Sequence, residues 1–369
     1  MTHRLLAAAA AAVAALLLPG IAAAQVRMND IQAVGTHNSY KVAIPPNELA
    51  IIRARTAEGA DALDYGHAAL EAQLDAGART IELDVWQDPQ GGLYATPLLP
   101  RVARSPLPPV DTRPGYKVMH MADVDVRAHC VRFVDCLAIL KRWSSAHPGH
   151  VPILIMINAK DETAAVPGAV KVPHYTTAAF DALDAEIRSV FGAGDLVTPD
   201  LVRGRHKTLR EAVAAGWPML DAVRGRFFFA LDEGPEKVDL YRGGRRNLEG
   251  RVMFVNGSET ADDAAYLTLN DPVGDAARIR SALAHGLIVR TRADADTIEA
   301  RAGDTRRRDA AFASGAHYVS TDYMAGDADA RFPGYSVGLP GGEAARCNPV
   351  HRDGCRTGRL EPESRRRGS

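Results

Sequence analysis

Two histidines, two acids and two amides stand on or at the ends of apolar runs. Residues 31–34 lead through Gly35 and Thr36 into His37 and Asn38. Thr80–Trp86 carries Glu82 and Asp84 two residues apart, so both side chains share one face of a strand. Lys117-Val118-Met119 ends on His120, and residues 151–157 end on Asn158, with Lys160 and Asp161 just beyond. Barrels and open α/β sheets keep their reacting groups at the C-terminal ends of strands. Asn38, Glu82, Asp84 and Asn158 offer oxygen to a hard cation such as Ca2+, which takes about six to eight oxygens. His37 and His120 titrate near neutrality and can serve as base and acid. Such a set suits cleavage of a phosphodiester by a neighbouring hydroxyl. One group takes the hydroxyl proton, another protonates the leaving oxygen, and a cation offsets the charge on the phosphoryl oxygens.

Taken singly, each feature has a plainer meaning. A Glu-x-Asp pair is an ordinary solvated strand edge and a strand-end histidine an ordinary polar cap; their recurrence at successive apolar runs is what argues for a site. Lys160 reads as a phosphate ligand or as a surface partner of Asp161. Arg290, Arg292, Asp294 and Asp322 lie at the ends of two later runs, where Arg292 binds substrate or spans the barrel in a salt bridge. His67, ahead of a helical stripe, reads as structural. His129, between a polar stretch and a helix, is the alternative to His120.

Positioning these residues takes a repeating strand–helix pattern. Strands are predicted over residues 31–34, 79–85, 116–119, 151–158, 226–231, 251–255, 286–290 and 316–320. The fourth is apolar without a break, as in a strand buried on both faces. Helices are predicted over residues 131–146, 177–191, from 208, 275–284 and 297–313, and Leu63, Ala69, Leu70, Leu74 and Ala78 form the stripe of another. Residues 41–64 read as a long connection and 93–114, rich in proline, as irregular. Strands alternating with helices in this way favour an α/β fold, one closed TIM-type (β/α)8 barrel, over a doubly wound sheet.

The 369 residues suit a single such domain of ~250 residues with insertions. A hydrophobic share of 46% supports a sizeable core, and a net charge of −1 supplies no global field to recruit nucleic acid, leaving room only for a local basic patch. Arg4, an apolar run over residues 5–18 and Ala22-Ala23-Ala24 form a secretory signal peptide cleaved near Ala24. That run is broken by Pro19-Gly20, short of the ~20 residues of a membrane span. The mature chain is then secreted or periplasmic, with no transmembrane segment. Cys130 with Cys136, and Cys347 with Cys355, suggest two local disulfides and agree with export. The organisation expected is a leader over 1–24, the barrel over 25–337, and an appendage over 338–369 that frays beyond about Cys355.

Several motifs together carry a resemblance. Gly35-Thr36-His37-Asn38-Ser39-Tyr40, Leu63-Asp64-Tyr65-Gly66-His67, Gln73-Leu74-Asp75-Ala76-Gly77, Glu82-Leu83-Asp84-Val85-Trp86 and Asp88-Pro89-Gln90-Gly91-Gly92 resemble the calcium-dependent bacterial phosphoinositide-specific phospholipase C family. Lys117-Val118-Met119-His120, Asn158-Ala159-Lys160-Asp161, Ile288-Val289-Arg290-Thr291-Arg292 and Gly315-Ala316-His317-Tyr318-Val319-Ser320-Thr321-Asp322 extend the likeness over about residues 28–325. The resemblance implies a TIM-type barrel that cleaves phosphatidylinositol to diacylglycerol and an inositol phosphate through a cyclic 1,2-phosphodiester. It implies His37 as base on the inositol 2-hydroxyl, His120 as acid to the glycerol oxygen, and Asn38, Glu82 and Asp84 as calcium ligands. The eukaryotic enzymes carry a glutamate where this chain has Asn158, a weaker ligand, so a fourth protein ligand stays open. The chain is read as a monomer acting on inositol phospholipid at a membrane surface.

Two other readings stand beside this one. A glycerophosphodiester phosphodiesterase shares the barrel and the Glu-x-Asp pair but usually has His-Arg-Gly where this chain has His37-Asn38-Ser39. A secreted barrel that binds inositol lipid or glycan without turnover has no need of two histidines and an acidic set. Residues 93–109, with Tyr94, Leu98, Leu99, Val102 and Leu107, follow the second strand and are expected either to offer apolar side chains to lipid or to pack as a loop.

Overall fold

Strands in this chain are short, β-branched and aromatic, and most are buried end to end, which forces them into the middle of a layered fold. The computed structural model describes residues 26–327, 329–350, 355, 360 and 361. The expected leader, residues 1–24, lies outside them. The strands are β1 Ile31–Thr36, β2 Thr80–Trp86, β3 Lys117–Val118, β4 Ile153–Lys160, β5 Phe227–Leu231, β6 Met253–Val255, β7 Tyr266–Thr268, β8 Ile288–Arg292, β9 Tyr318–Thr321 and β10 Ala345–Cys347. They form two five-stranded sheets, ordered β10-β1-β9-β8-β7 and β3-β2-β4-β5-β6, in which only β10 and β3 pair antiparallel. The sheets meet at two sparse seams. A parallel bridge between Asn256 and Tyr266 joins β6 to β7. At the other seam Arg79 N–H donates to the Val34 carbonyl at 2.7 Å and Ser39 N–H to the Glu82 carbonyl at 3.1 Å. The fold is an α/β barrel of TIM type built as two ladders rather than one continuous ring.

Two strand assignments change. The predicted third strand shrinks to β3, a two-residue antiparallel flap on β2. β2 pairs directly with β4, and the ring gains β7 between β6 and β8, whose three residues are too few to show a period. The predicted connection over residues 41–64 contains two helices, Pro46–Arg53 and Ala57–Leu63. The predicted helix over residues 297–313 is split into Ile298–Ala302 and Arg306–Ala313, with Gly303 capping the first in a left-handed conformation. Phe133–Ala146 is helical as expected, and it turns Phe133, Leu137 and Leu140 onto the barrel at helical spacing.

Both disulfides form, Cys130 with Cys136 and Cys347 with Cys355. Part of the expected appendage lies among the described residues. β10 lies against β1, and Glu361 meets Arg79 through Nε at 2.7 Å and Nη2 at 2.5 Å while accepting from Val151 N–H at 2.7 Å. These contacts sit at the N-terminal ends of β2 and β4, opposite the predicted site. No helix of the described residues is long and apolar enough to cross a membrane.

The seam between β1 and β2 depends on Gly35. A Cβ there would meet the Thr80 carbonyl oxygen and lie 2.6 Å from Thr80 N, so no larger residue lets the strands approach. Gly35→Ala should destabilise the fold by about 1–3 kcal/mol or more. A lower midpoint of urea unfolding checks this; an unchanged midpoint would mean the seam tolerates separation.

Candidate active site

Strand direction puts the polar residues on one rim. His37 follows β1, Glu82 and Asp84 lie on β2, Asn158 and Lys160 on β4, Arg290 and Arg292 on β8, and Asp322 just past β9. His120 arrives from the turn after β3, whose hairpin closes through His120 N–H and Met121 N–H donating to the Asp125 carbonyl.

His37 is fixed from three sides. Its Nδ1 lies 2.8 Å from Asp322 Oδ1 and 3.2 Å from the Tyr65 hydroxyl. An ionised carboxylate can only accept, so Nδ1 carries the proton and Nε2 keeps the lone pair. Nε2 looks toward Glu82 Oε1 at 3.6 Å and Arg292 Nη1 at 3.3 Å. Burial, then the Arg292 charge, hold the His37 ring below its ordinary 6.5, with Glu82 and Asp322 pulling the other way. Burial alone would raise the Asp322 carboxyl, but His37 and Arg292 outweigh it and hold it well below the usual range. Arg292 Nη2 donates to Asp322 Oδ2 at 3.0 Å, so Arg292 bridges the His37 ring and the carboxylate that holds it.

His120 repeats the pattern with different partners. Its Nδ1 lies 2.9 Å from Asp125 Oδ2, and Lys41 Nζ stands 3.2 Å from the same oxygen. Burial would raise Asp125, but Lys41 and His120 together hold it below the ordinary value. His120 also acts on Asp84 across the site. His129 lies elsewhere, 2.6 Å from the His67 carbonyl, and His67 itself spans Asp327 at 2.9 Å and the His37 carbonyl at 2.8 Å. Both are structural.

Between the histidines, Glu82 and Asp84 converge on one group. Asn158 Nδ2 donates to Glu82 Oε1 at 2.9 Å and to Asp84 Oδ1 at 3.1 Å. Lys160 Nζ is 3.8 Å from Asp84 Oδ2, while Asp161 is taken by Lys237 at 2.8 Å. The alternative pairing of Lys160 with Asp161 is therefore not made. Asn38 turns its oxygen to the Tyr40 hydroxyl at 3.1 Å and its amide to the Tyr65 hydroxyl at 2.8 Å, and Tyr40 also bonds Asp84. Asn38 is thus at the site's edge, one hydroxyl away from the carboxylates.

The donor set fits a cation. Glu82 and Asp84 are only 3% and 2% exposed, and burial raises the Asp84 carboxyl above its ordinary value despite Lys160 and His120. Glu82 Oε1 and Asp84 Oδ1 converge on one neutral amide, and carboxylate oxygen is what a hard cation takes. Among the described residues no cluster of three histidines, cysteines or acids forms, so such an ion would rest on two carboxylates and on amides.

The orienting acids Asp322 and Asp125 were not assigned from sequence. Asp322 was visible at a strand end without a role. Asp125 lies in a tight turn five residues after His120, a spacing that carries no periodic signal.

A TIM-type barrel with two carboxylate-backed histidines over a buried Glu–Asp pair has the build of a phosphodiester-cleaving enzyme. The sequence matches the family described as phosphoinositide phospholipase C, Ca2+-dependent, over residues 26–349, and the chain belongs to it. It is therefore a phosphoric diester hydrolase of a calcium-dependent family rather than a glycerophosphodiester phosphodiesterase. Among solved structures it is similar to the calcium-dependent phosphoinositol-specific phospholipase C of Pseudomonas sp. In its myoinositol complex that enzyme is 17% identical, with a TM-score of 0.52 over 88% of this chain and 96% of that one. A second crystal form gives the same identity and score over 89% and 97%. The calcium-dependent enzyme of Streptomyces antibioticus is 20% identical over 80% and 95%, with a TM-score of 0.48. The Pseudomonas likeness shows the fold. No curated protein matches the sequence.

Arg292 and Asp322 act on His37 with opposite sign. Removing the cation in Arg292→Gln should raise the His37 pKa toward 6.5, and removing the anion in Asp322→Asn should lower it further. NMR titration of the labelled ring reads both, and movement in the same direction would refute the arrangement.

Proposed function

We propose that the chain is an exported phospholipase C that cleaves phosphatidylinositol to diacylglycerol and an inositol phosphate through a cyclic 1,2-phosphodiester. The observation that carries this reading is the pair of histidines, each with Nδ1 pinned by a buried carboxylate, flanking Glu82 and Asp84. His37 Nε2 takes the proton of the inositol 2-hydroxyl, and that oxygen attacks phosphorus. The bond to the glycerol oxygen breaks as His120 delivers a proton to it. Asp322 and Asp125 hold the rings in the required tautomer and offset their charge when protonated. Lys160, near Asp84, and Arg292, beside His37, are the cations that would meet the phosphate. Asn38, Glu82, Asp84 and Asn158 would hold Ca2+, which supplies charge stabilisation on the phosphoryl oxygens and acidifies the attacking hydroxyl. A barrel that only bound its lipid would need neither the depressed base nor the second histidine. Residues 1–24 are read as the leader, and the two disulfides agree with an oxidising compartment.

Chelation should abolish turnover of phosphatidylinositol, and calcium should restore it; full activity in excess chelator would refute the cation assignment. The histidine roles are separated by the leaving group. His37→Ala and His120→Ala should each slow cleavage of the natural lipid by roughly 10²–10⁴-fold. Diacylglycerol leaves as a poor alkoxide, whereas p-nitrophenolate leaves without a proton. On an inositol p-nitrophenyl phosphate, His120→Ala should recover much of its rate and His37→Ala should not. Rescue of His37→Ala instead would reverse the assignment, with calcium binding measured in both variants.

A further inference from the structure

The loop that leaves β1 with His37 also reaches the second histidine. Lys41 lies four residues further on, and its side chain is fully buried. An ammonium has three donors, and here they face three oxygens. Nζ stands 3.2 Å from Asp125 Oδ2, 3.1 Å from the Leu63 carbonyl and 3.0 Å from the Tyr65 carbonyl. The Lys41 backbone is fixed as well. Its N–H donates to the Asn38 carbonyl, and its carbonyl accepts from His67 N–H, both at 2.9 Å. Fold stability does not by itself call for a lysine in this place. Burying an ammonium with a carboxylate strips both of water, and apolar residues often replace such a pair without loss.

What the lysine supplies is a second hold on the carboxylate behind His120. Asp125 Oδ2 accepts from His120 Nδ1 at 2.9 Å, and the same oxygen faces Lys41. Asp125 Oδ1 is buried and has no hydrogen-bond partner among the described residues. The carboxylate is therefore aimed at one oxygen only, by the ring and by the lysine. Take the lysine away, and the ring leans on a group that nothing else orients. Burial would then push that carboxyl toward its neutral form, a weaker acceptor for the ring N–H. Lys41 also touches the half of the site that holds the base, since the Tyr65 hydroxyl lies 3.2 Å from His37 Nδ1. The two paths differ in what they predict for the leaving group.

We propose that Lys41 is a positioning residue for the acid half of the reaction, aiming the Asp125 carboxylate and, through it, the His120 ring at the leaving oxygen. The proposal rests on the phospholipase reading for the step it serves, but the ring hydrogen bond is measured without turnover. Lys41→Met keeps the unbranched stem and removes the charge. On phosphatidylinositol it should lower kcat by about tenfold or more, with KM nearly unchanged. On an inositol p-nitrophenyl phosphate, whose leaving group needs no proton, most of that loss should disappear. Equal loss on both substrates would overturn the proposal, because the lysine would then act through Tyr65 and His37 or through the fold. Should Lys41→Met not fold, Asp125→Asn is compared with Asp125→Asn/Lys41→Met, which carries no unpaired buried charge at this pair. The added substitution should slow phosphatidylinositol cleavage no further, and a further tenfold loss would overturn the proposal. The low-field proton resonance of the His120 ring N–H, assigned by its absence in His120→Ala, should be lost or broadened in Lys41→Met. Its persistence unchanged would overturn the proposal whatever the rates. A wild type that shows this resonance, loses it in Lys41→Met and cleaves neither substrate would overturn the phospholipase reading and leave Lys41 as the residue that positions His120.

Discussion

Two carboxylates, Glu82 and Asp84, are held almost out of water in the barrel mouth, and the charged residues around them make that arrangement tolerable. Moving an ionised carboxylate from water into a protein interior is costly unless it is paired. Glu82 meets this demand across the barrel: Arg290 Nη2 donates to its Oε2 at 2.7 Å from β8, in the other sheet. Arg290 is buried too, and is held by Ser320 Oγ at 2.8 Å and by the Asn270 side chain. The salt bridge across the barrel that the sequence offered to Arg292 is made by Arg290. It ties together two ladders whose seams carry few backbone bonds. Glu82 keeps its other oxygen, Oε1, facing the site.

The two histidines show how one motif acquires two characters. Each ring leans on a buried aspartate through Nδ1, which fixes the tautomer and leaves Nε2 for chemistry. The nearby cations differ in where they stand. Arg292 touches the His37 ring nitrogen itself and so opposes a proton there. Lys41 stands instead on the aspartate behind His120, 3.2 Å from the oxygen that the ring leans on. The first placement favours the neutral ring that the role proposed for His37 requires.

Much of this was legible because strands broadcast their ends. An apolar run that stops on His37, on Asn158 or on Arg292 states where the side chain emerges, and period two puts Glu82 and Asp84 together. What was not legible lies where no period operates. Asp125 reaches His120 through a turn, with Asp123 beside it in a left-handed conformation at φ 68°, and Lys41 reaches Asp125 from a loop after β1. β7 is three residues long and announces itself only by pairing with β8. The flap β3 reads as a strand because it is one, but its antiparallel direction depends on β2 and not on its own residues.

Asn158 takes its meaning from the same charge balance. Around the mouth Arg290 meets Glu82, Lys160 stands near Asp84, Lys41 meets Asp125 and Arg292 meets Asp322, with the acids Asp232 and Asp294 close behind. Each of the first four carboxylates thus has a basic side chain beside it before any metal or phosphate enters. A glutamate at position 158 would press a third carboxylate against two that already share a single amide donor, and burial already lifts Asp84. An amide removes that repulsion and donates a hydrogen bond to each carboxylate instead. Asn158 therefore makes the close Glu82–Asp84 pair tolerable, with Lys160 beside Asp84 adding a positive charge.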